Sequence, residues 1–93
     1  MERIKQPPTP TIPMKFIAEY TDTFGGEANY SWVTRRTFEA PDTATTPLLV
    51  RRAKRALGLY GPHKTTDFGD MVEIRPQGKC TVVFVSVVPP GWE

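Results

Sequence analysis

From Lys15 the chain alternates, with Phe16, Ala18 and Tyr20 on one side and Lys15, Glu19 and Thr21 on the other. That period of two predicts a half-buried β-strand. Within Asp22-Thr-Phe-Gly-Gly-Glu-Ala-Asn29, the glycines Gly25 and Gly26 accept positive φ and predict a turn. A second strand is expected from about Tyr30 to Ala40, where aromatic and β-branched residues concentrate, and Pro41-Asp42 stops it.

Beyond Asp42 the period changes to that of a helix. Thr45 or Thr46 can cap the N-terminus, Pro47 fits the first helical position, and Gly58 or Gly61 can end the helix. At roughly 100° per residue, Leu49, Val50, Ala53, Ala56, Leu57 and Tyr60 fall in one arc. Arg51, Arg52, Lys54 and Arg55 fall in the opposite arc. A loop from Gly61 to Thr66 then leads to a third strand at about Asp70 to Arg75, with Val72 and Ile74 facing inward. After the turn Pro76-Gln-Gly-Lys79, the run Cys80 to Val88 is apolar on both faces, as interior strands are.

The predicted order is ββαββ, an α+β fold in which one helix covers one face of a four-stranded, mainly antiparallel sheet. One helix cannot cover both faces. Val83, Val85 and Val87, with Val33 and Ile17, are expected to point away from it and form an apolar patch. Such a patch is covered by the N-terminal arm with Ile4 and Ile12, by a second copy in a homodimer or by a partner, or else it stays partly exposed.

Composition refines this picture. Ninety-three residues suffice for one small domain. Of ten prolines, Pro7, Pro8, Pro10 and Pro13 crowd the first thirteen residues, so residues 1–13 are expected to form an extended proline-rich arm on a domain spanning 14–93. No apolar run approaches the ~18 residues of a membrane helix. Arg3 and Lys5 are not followed by the apolar stretch of a secretory signal. The single cysteine, Cys80, permits no internal disulfide, suits a reducing cytoplasm, and is expected to pack as a small core residue.

Charge sharpens the functional question. The formal net charge is +2, but residues 43–66 hold five Lys/Arg and no acid, leaving seven Lys/Arg against ten Asp/Glu elsewhere. A basic helix face on a mildly acidic body attracts phosphates or an acidic protein surface, unless it is only a solvated face. The candidate contacts are Arg51, Arg52, Lys54 and Arg55, supported by Arg35, Arg36 and Trp32 on the second strand. In an unbulged strand Tyr30 and Trp32 share a face with Thr34, Arg36 and Phe38, serving as core or as a stacking surface. No recognition-helix or ribonucleoprotein signature supports sequence-specific base readout.

Signs of catalysis are sparse. Asp22 and Glu27, and Asp67, Asp70 and Glu73, sit near turns, and only their convergence would suggest a cation or an acid–base pair. Gly25-Gly26 lacks the spacing of a phosphate loop. His63 and Cys80 are too few for a zinc site, and Asp67-Phe68-Gly69 is a kinase tripeptide in a chain too short for a kinase. A non-enzymatic protein without metal or cofactor is expected.

The runs Tyr20-Thr-Asp-Thr-Phe-Gly-Gly-Glu-Ala-Asn-Tyr-Ser-Trp-Val33, Val50-Arg-Arg-Ala-Lys54 and Gly69-Asp-Met-Val-Glu-Ile-Arg75 resemble small open reading frames of phages and prophages. The likeness covers about residues 14 to 85 and carries no catalytic or binding motif. It implies a viral accessory protein that binds and masks a host protein or nucleoprotein complex in the host cytoplasm, in the size class of anti-CRISPR inhibitors. A small nucleic-acid-binding module and a phage structural or assembly protein are the alternatives. The residues before Met14 depart from the pattern.

Overall fold

A computed structural model describes residues 13–88. The proline-rich segment before Pro13, with Ile4 and Ile12, and the terminus with Trp92 lie outside the described residues. Pro13, expected in the arm, opens the first strand and pairs with Pro41.

The elements are β1 (Pro13–Phe24), β2 (Glu27–Pro41), α1 (Thr46–Leu57), β3 (His63–Asp67), β4 (Met71–Pro76) and β5 (Thr81–Val87). The strands form one sheet in the order β2-β1-β5-β4-β3, every neighbouring pair antiparallel. The α+β class is as expected, but the sheet has five strands and the order is ββαβββ. The additional strand, β3, lies where a loop was predicted. Its sequence His63-Lys-Thr-Thr-Asp67 has no apolar face, and it is exposed along nearly its whole length. An edge strand that pairs with β4 on one side and buries none of its side chains fully leaves no hydrophobic alternation to read.

Helix α1 begins and ends where its caps dictate. The Thr45 hydroxyl accepts from the Leu48 N–H, Pro47 occupies the first turn, and Gly58 takes the left-handed conformation at φ 73°. The Gly58 N–H reaches Arg55 O at 3.2 Å and the Leu59 N–H reaches Lys54 O at 2.8 Å, closing the last turn. Lys54 and Arg55 sit at the carbonyl end, where the helix dipole favours cations. Val50 and Ala53 are buried against the sheet, as the apolar arc predicts. Tyr60, assigned to that arc, falls beyond the helix and is 82% exposed.

The register decides which valines are core. Phe16 pairs with Val87, Ala18 with Val85 and Tyr20 with Val83. Directly opposite residues share a face, so the three valines lie on the side of Phe16 and Ala18, which the helix covers. Val83 and Val85 are fully buried among Phe16, Ala18, Val50, Ala53, Val72 and Ile74. The outward valine patch is therefore corrected: Val83 and Val85 are core, and Val87 is 41% exposed at the margin of the same face. The error was one of parity in a strand apolar on both sides, where one residue of register exchanges the faces. Ile17 and Val33 do lie on the far face, by their pairing with Ser86 and Thr21. Cys80 is also corrected, since it precedes β5 and is exposed rather than core.

Candidate functional site

Helix α1 packs against β2, β1, β4 and β5, and the edge strand β3 stands beyond it. Between them opens a cleft of about 650 Å³. Thr46, Pro47, Val50, Arg51, Lys54 and Arg55 form one wall, His63 and Thr65 the other, and Leu59, Tyr60 and Gly61 close the end.

Two contacts hold the walls at a fixed distance. Near the helix N-terminus the Thr46 hydroxyl donates to Asp67 Oδ2, while the Gly69 N–H reaches Asp67 Oδ1 at 2.8 Å. These donors, Thr46 first, hold the Asp67 carboxyl below its ordinary range. Near the other end the Lys54 ammonium donates to Gly61 O at 2.6 Å and lies 2.9 Å from His63 Nδ1. An ammonium has no lone pair, so His63 Nδ1 accepts and the ring hydrogen sits on Nε2. The cleft thus has a braced frame in which Asp67 and Lys54 are already engaged.

The predicted basic face divides on this frame. Arg51, Lys54 and Arg55 line the cleft, whereas Arg52 turns the other way and donates to Glu39 O of β2 at 2.8 Å. The second-strand contacts do not join the cleft, because β2 is the opposite edge of the sheet. Arg35 pairs with Glu19 at 2.8 Å, and Arg36 donates to Arg35 O at 2.9 Å. Trp32 packs edge-on against Tyr20 with ring centroids 5.1 Å apart. Arg51 and Arg55 differ from the other arginines of the proposed contact set. Among the described residues neither guanidinium has an ion-pair or hydrogen-bond partner, and both are exposed.

His63, Thr65 and Leu59 are site residues that sequence reasoning missed. The signal available was Thr65-Thr66, a β-branched pair between Gly61-Pro62 and Gly69, which is a short strand bounded by turns.

The other polar cluster lies near the β1–β2 turn. Between the pairs Thr21↔Val33 and Thr23↔Ala28 the register advances two residues on β1 and five on β2, so β2 bulges. Tyr30 in the bulge has φ 57°, a conformation rare for a tyrosine. The Asp22 carboxylate holds the bulge together, accepting from the Ser31 hydroxyl at 2.6 Å, the Ser31 N–H at 2.9 Å and Asn29 Nδ2 at 2.9 Å. These bonds, led by the Ser31 and Asn29 side chains, hold the Asp22 carboxyl far below its ordinary value. The bulge separates the two aromatics expected on one face. Trp32 stays with Tyr20, while Tyr30 lines a hollow of about 300 Å³ on the far sheet face with Ile17, Glu19, Met71 and Phe84. Desolvation of the Tyr30 hydroxyl, then the Glu19 charge, raises its pKa.

The acidic loops do not converge. Asp22 pairs with Thr81 at one end of the sheet, and Asp67 pairs with Val72 at the other. Among the described residues, no three His, Cys, Asp or Glu side chains gather as a metal site would need. No helix among them is long and apolar enough to cross a membrane. Compared with family models, curated proteins and solved structures, the chain finds no match.

Proposed function

We propose that the protein is a non-enzymatic binding module that acts by occupancy: the cleft between α1 and β3 takes an acidic segment of a partner macromolecule and masks it. The observation that carries this reading is the pair Arg51 and Arg55, two guanidiniums without a partner among the described residues, on a cleft with an apolar floor. The other arginines among the described residues are engaged: Arg35 and Arg75 by Glu19 and Glu73, Arg52 and Arg36 by backbone carbonyls. A planar cation with five donors binds carboxylates or phosphates in a fork, and an apolar floor lowers the local dielectric around that contact. The resemblance to small phage proteins fits such a role, with a host protein or nucleoprotein complex as the masked partner.

Tyr60 favours one second reading. It is 82% exposed on the same cleft and offers a ring on which a base can stack beside the arginines. Anisotropy titrations of labelled poly-glutamate and of single- and double-stranded oligonucleotides, at about 50 and about 200 mM salt, separate the two. Binding of poly-glutamate that disappears in Arg51→Glu/Arg55→Glu supports the acidic-segment reading. Tighter, steeply salt-dependent binding of oligonucleotides by the same residues replaces it with nucleic acid. Binding to neither probe rejects the cleft as the contact surface.

A further inference from the structure

The backbone of β3 says how a partner can attach. His63 pairs with Pro76, which has no N–H, and the bond closing that end runs from the Gln77 N–H to Pro62 O at 3.0 Å. His63↔Pro76 is therefore a pair without mutual hydrogen bonds. The alternation then fixes the rest. Lys64 and Thr66 turn their N–H and C=O groups toward β4, as Phe68 does in donating to Met71 O at 2.8 Å. His63, Thr65 and Asp67 turn theirs outward, to the open edge of the sheet.

These same three residues carry their side chains on the helix side. Thr65 lies opposite Ile74 and Asp67 opposite Val72, both core residues, and His63 and Thr65 line the cleft. One short strand thus offers outward backbone groups and one wall of a basic cleft together. A strand added to this edge would lie about 4.8 Å from β3. Every second side chain would then lie on the side of Arg51 and Arg55.

We propose that β3 is a docking edge: an extended acidic peptide of the partner pairs antiparallel or parallel with His63, Thr65 and Asp67 as a sixth strand. Its alternate acidic side chains meet Arg51 and Arg55. This rests on the reading of the cleft as the contact surface and adds how the partner attaches. Charge complementarity selects the occupant. The cleft presents two guanidiniums unengaged among the described residues, while both oxygens of its neighbouring acid, Asp67, are already bonded. Main-chain pairing supplies affinity and the alternate side chains supply selectivity. Proline and bulges commonly blunt sheet edges left open, and neither interrupts residues 63–67.

The test uses the full chain and a fluorescein-labelled decapeptide alternating valine and glutamate, with binding followed by anisotropy and amide exchange followed by NMR. The expected result is saturable binding with new protection of the His63, Thr65 and Asp67 amides, while those of Lys64 and Thr66, already paired, change little. Thr65→Pro, which removes one outward N–H at a position where an edge strand accepts proline, should weaken binding at least tenfold. The same peptide N-methylated at alternate residues should lose binding in one phase of the alternation and keep it in the other, with the protein unaltered. Binding that needs Arg51 and Arg55 but leaves the three amides unprotected would overturn strand addition and leave the cleft reading standing. So would oligonucleotide binding at the cleft with no peptide binding. Failure of all probes overturns both.

Discussion

Near the tip of the β1–β2 hairpin, one carboxylate is met by three donors from β2. At the α1–β3 cleft, two guanidiniums are met by none among the described residues. Both regions are polar and both lie near turns, yet their bonding differs in kind. The hairpin uses its polar groups on its own chain, holding a bulge that contains a tyrosine at positive φ. The cleft uses Thr46, Asp67, Lys54 and His63 to brace its walls and leaves the charges between them unanswered. A polar cluster that satisfies itself reads as structure, and one that stops short reads as a surface for something else.

The comparison can be broken at four places. The largest effect is expected in the layer beneath both regions: Ile74→Ala, at a fully buried position under the helix, should cost about 2–5 kcal/mol in urea unfolding. Its loss should fall on hairpin and cleft alike. Next, Arg51→Glu/Arg55→Glu should reduce binding of an acidic probe at least tenfold while changing stability by no more than about 0.5 kcal/mol. A large loss of stability would mean that these arginines hold the fold, and the contrast would collapse.

Asp22→Asn should do the reverse, lowering the urea midpoint at neutral pH and leaving probe binding unchanged. The sign with pH follows from its lowered folded-state pKa. The carboxylate's contribution is complete above the ordinary value of 3.8 and is lost as pH falls below it, toward the lower folded value. The gap between the native chain and Asp22→Asn should therefore narrow in urea titrations run from pH 6 down to pH 3. The smallest effect belongs to the pair on the far face. Arg35→Ala removes a half-exposed contact with Glu19 and should cost less than about 1 kcal/mol, as a thermal melt would show.

Legibility in the sequence followed burial. The start of helix α1 was readable to within a residue and its end to one of two glycines, of which Gly58 is the cap, because its caps are local and its apolar arc packs on the sheet. The inward Val72 and Ile74 of β4 were readable for the same reason. Strand β3 was not, because an edge strand of threonines between a lysine and an aspartate carries no hydrophobic alternation. The faces of β5 were not, because Val82 and Val83 are both buried and the pattern cannot say which is under the helix. That needed the pairing with β1, more than fifty residues away in sequence. The basic residues were found, but their division between cleft, β2 carbonyl and far-face ion pair depends on which edge each strand takes.

That central pairing has a consequence in time. β1 lies between β2 and β5, yet it is made more than fifty residues before β5. The β1–β2 hairpin can form early, but Phe16 and Ala18 have only part of their cover until Val83 and Val85 arrive. Contacts so distant in sequence bear the full entropy of loop closure before they stabilise anything, which slows folding. The cleft draws on both sides of that pairing, with one wall on α1 and the other on β3, which joins the sheet through β4. During synthesis, the sheet that backs both walls of the cleft is therefore complete only once β5 has been made, after every other described element.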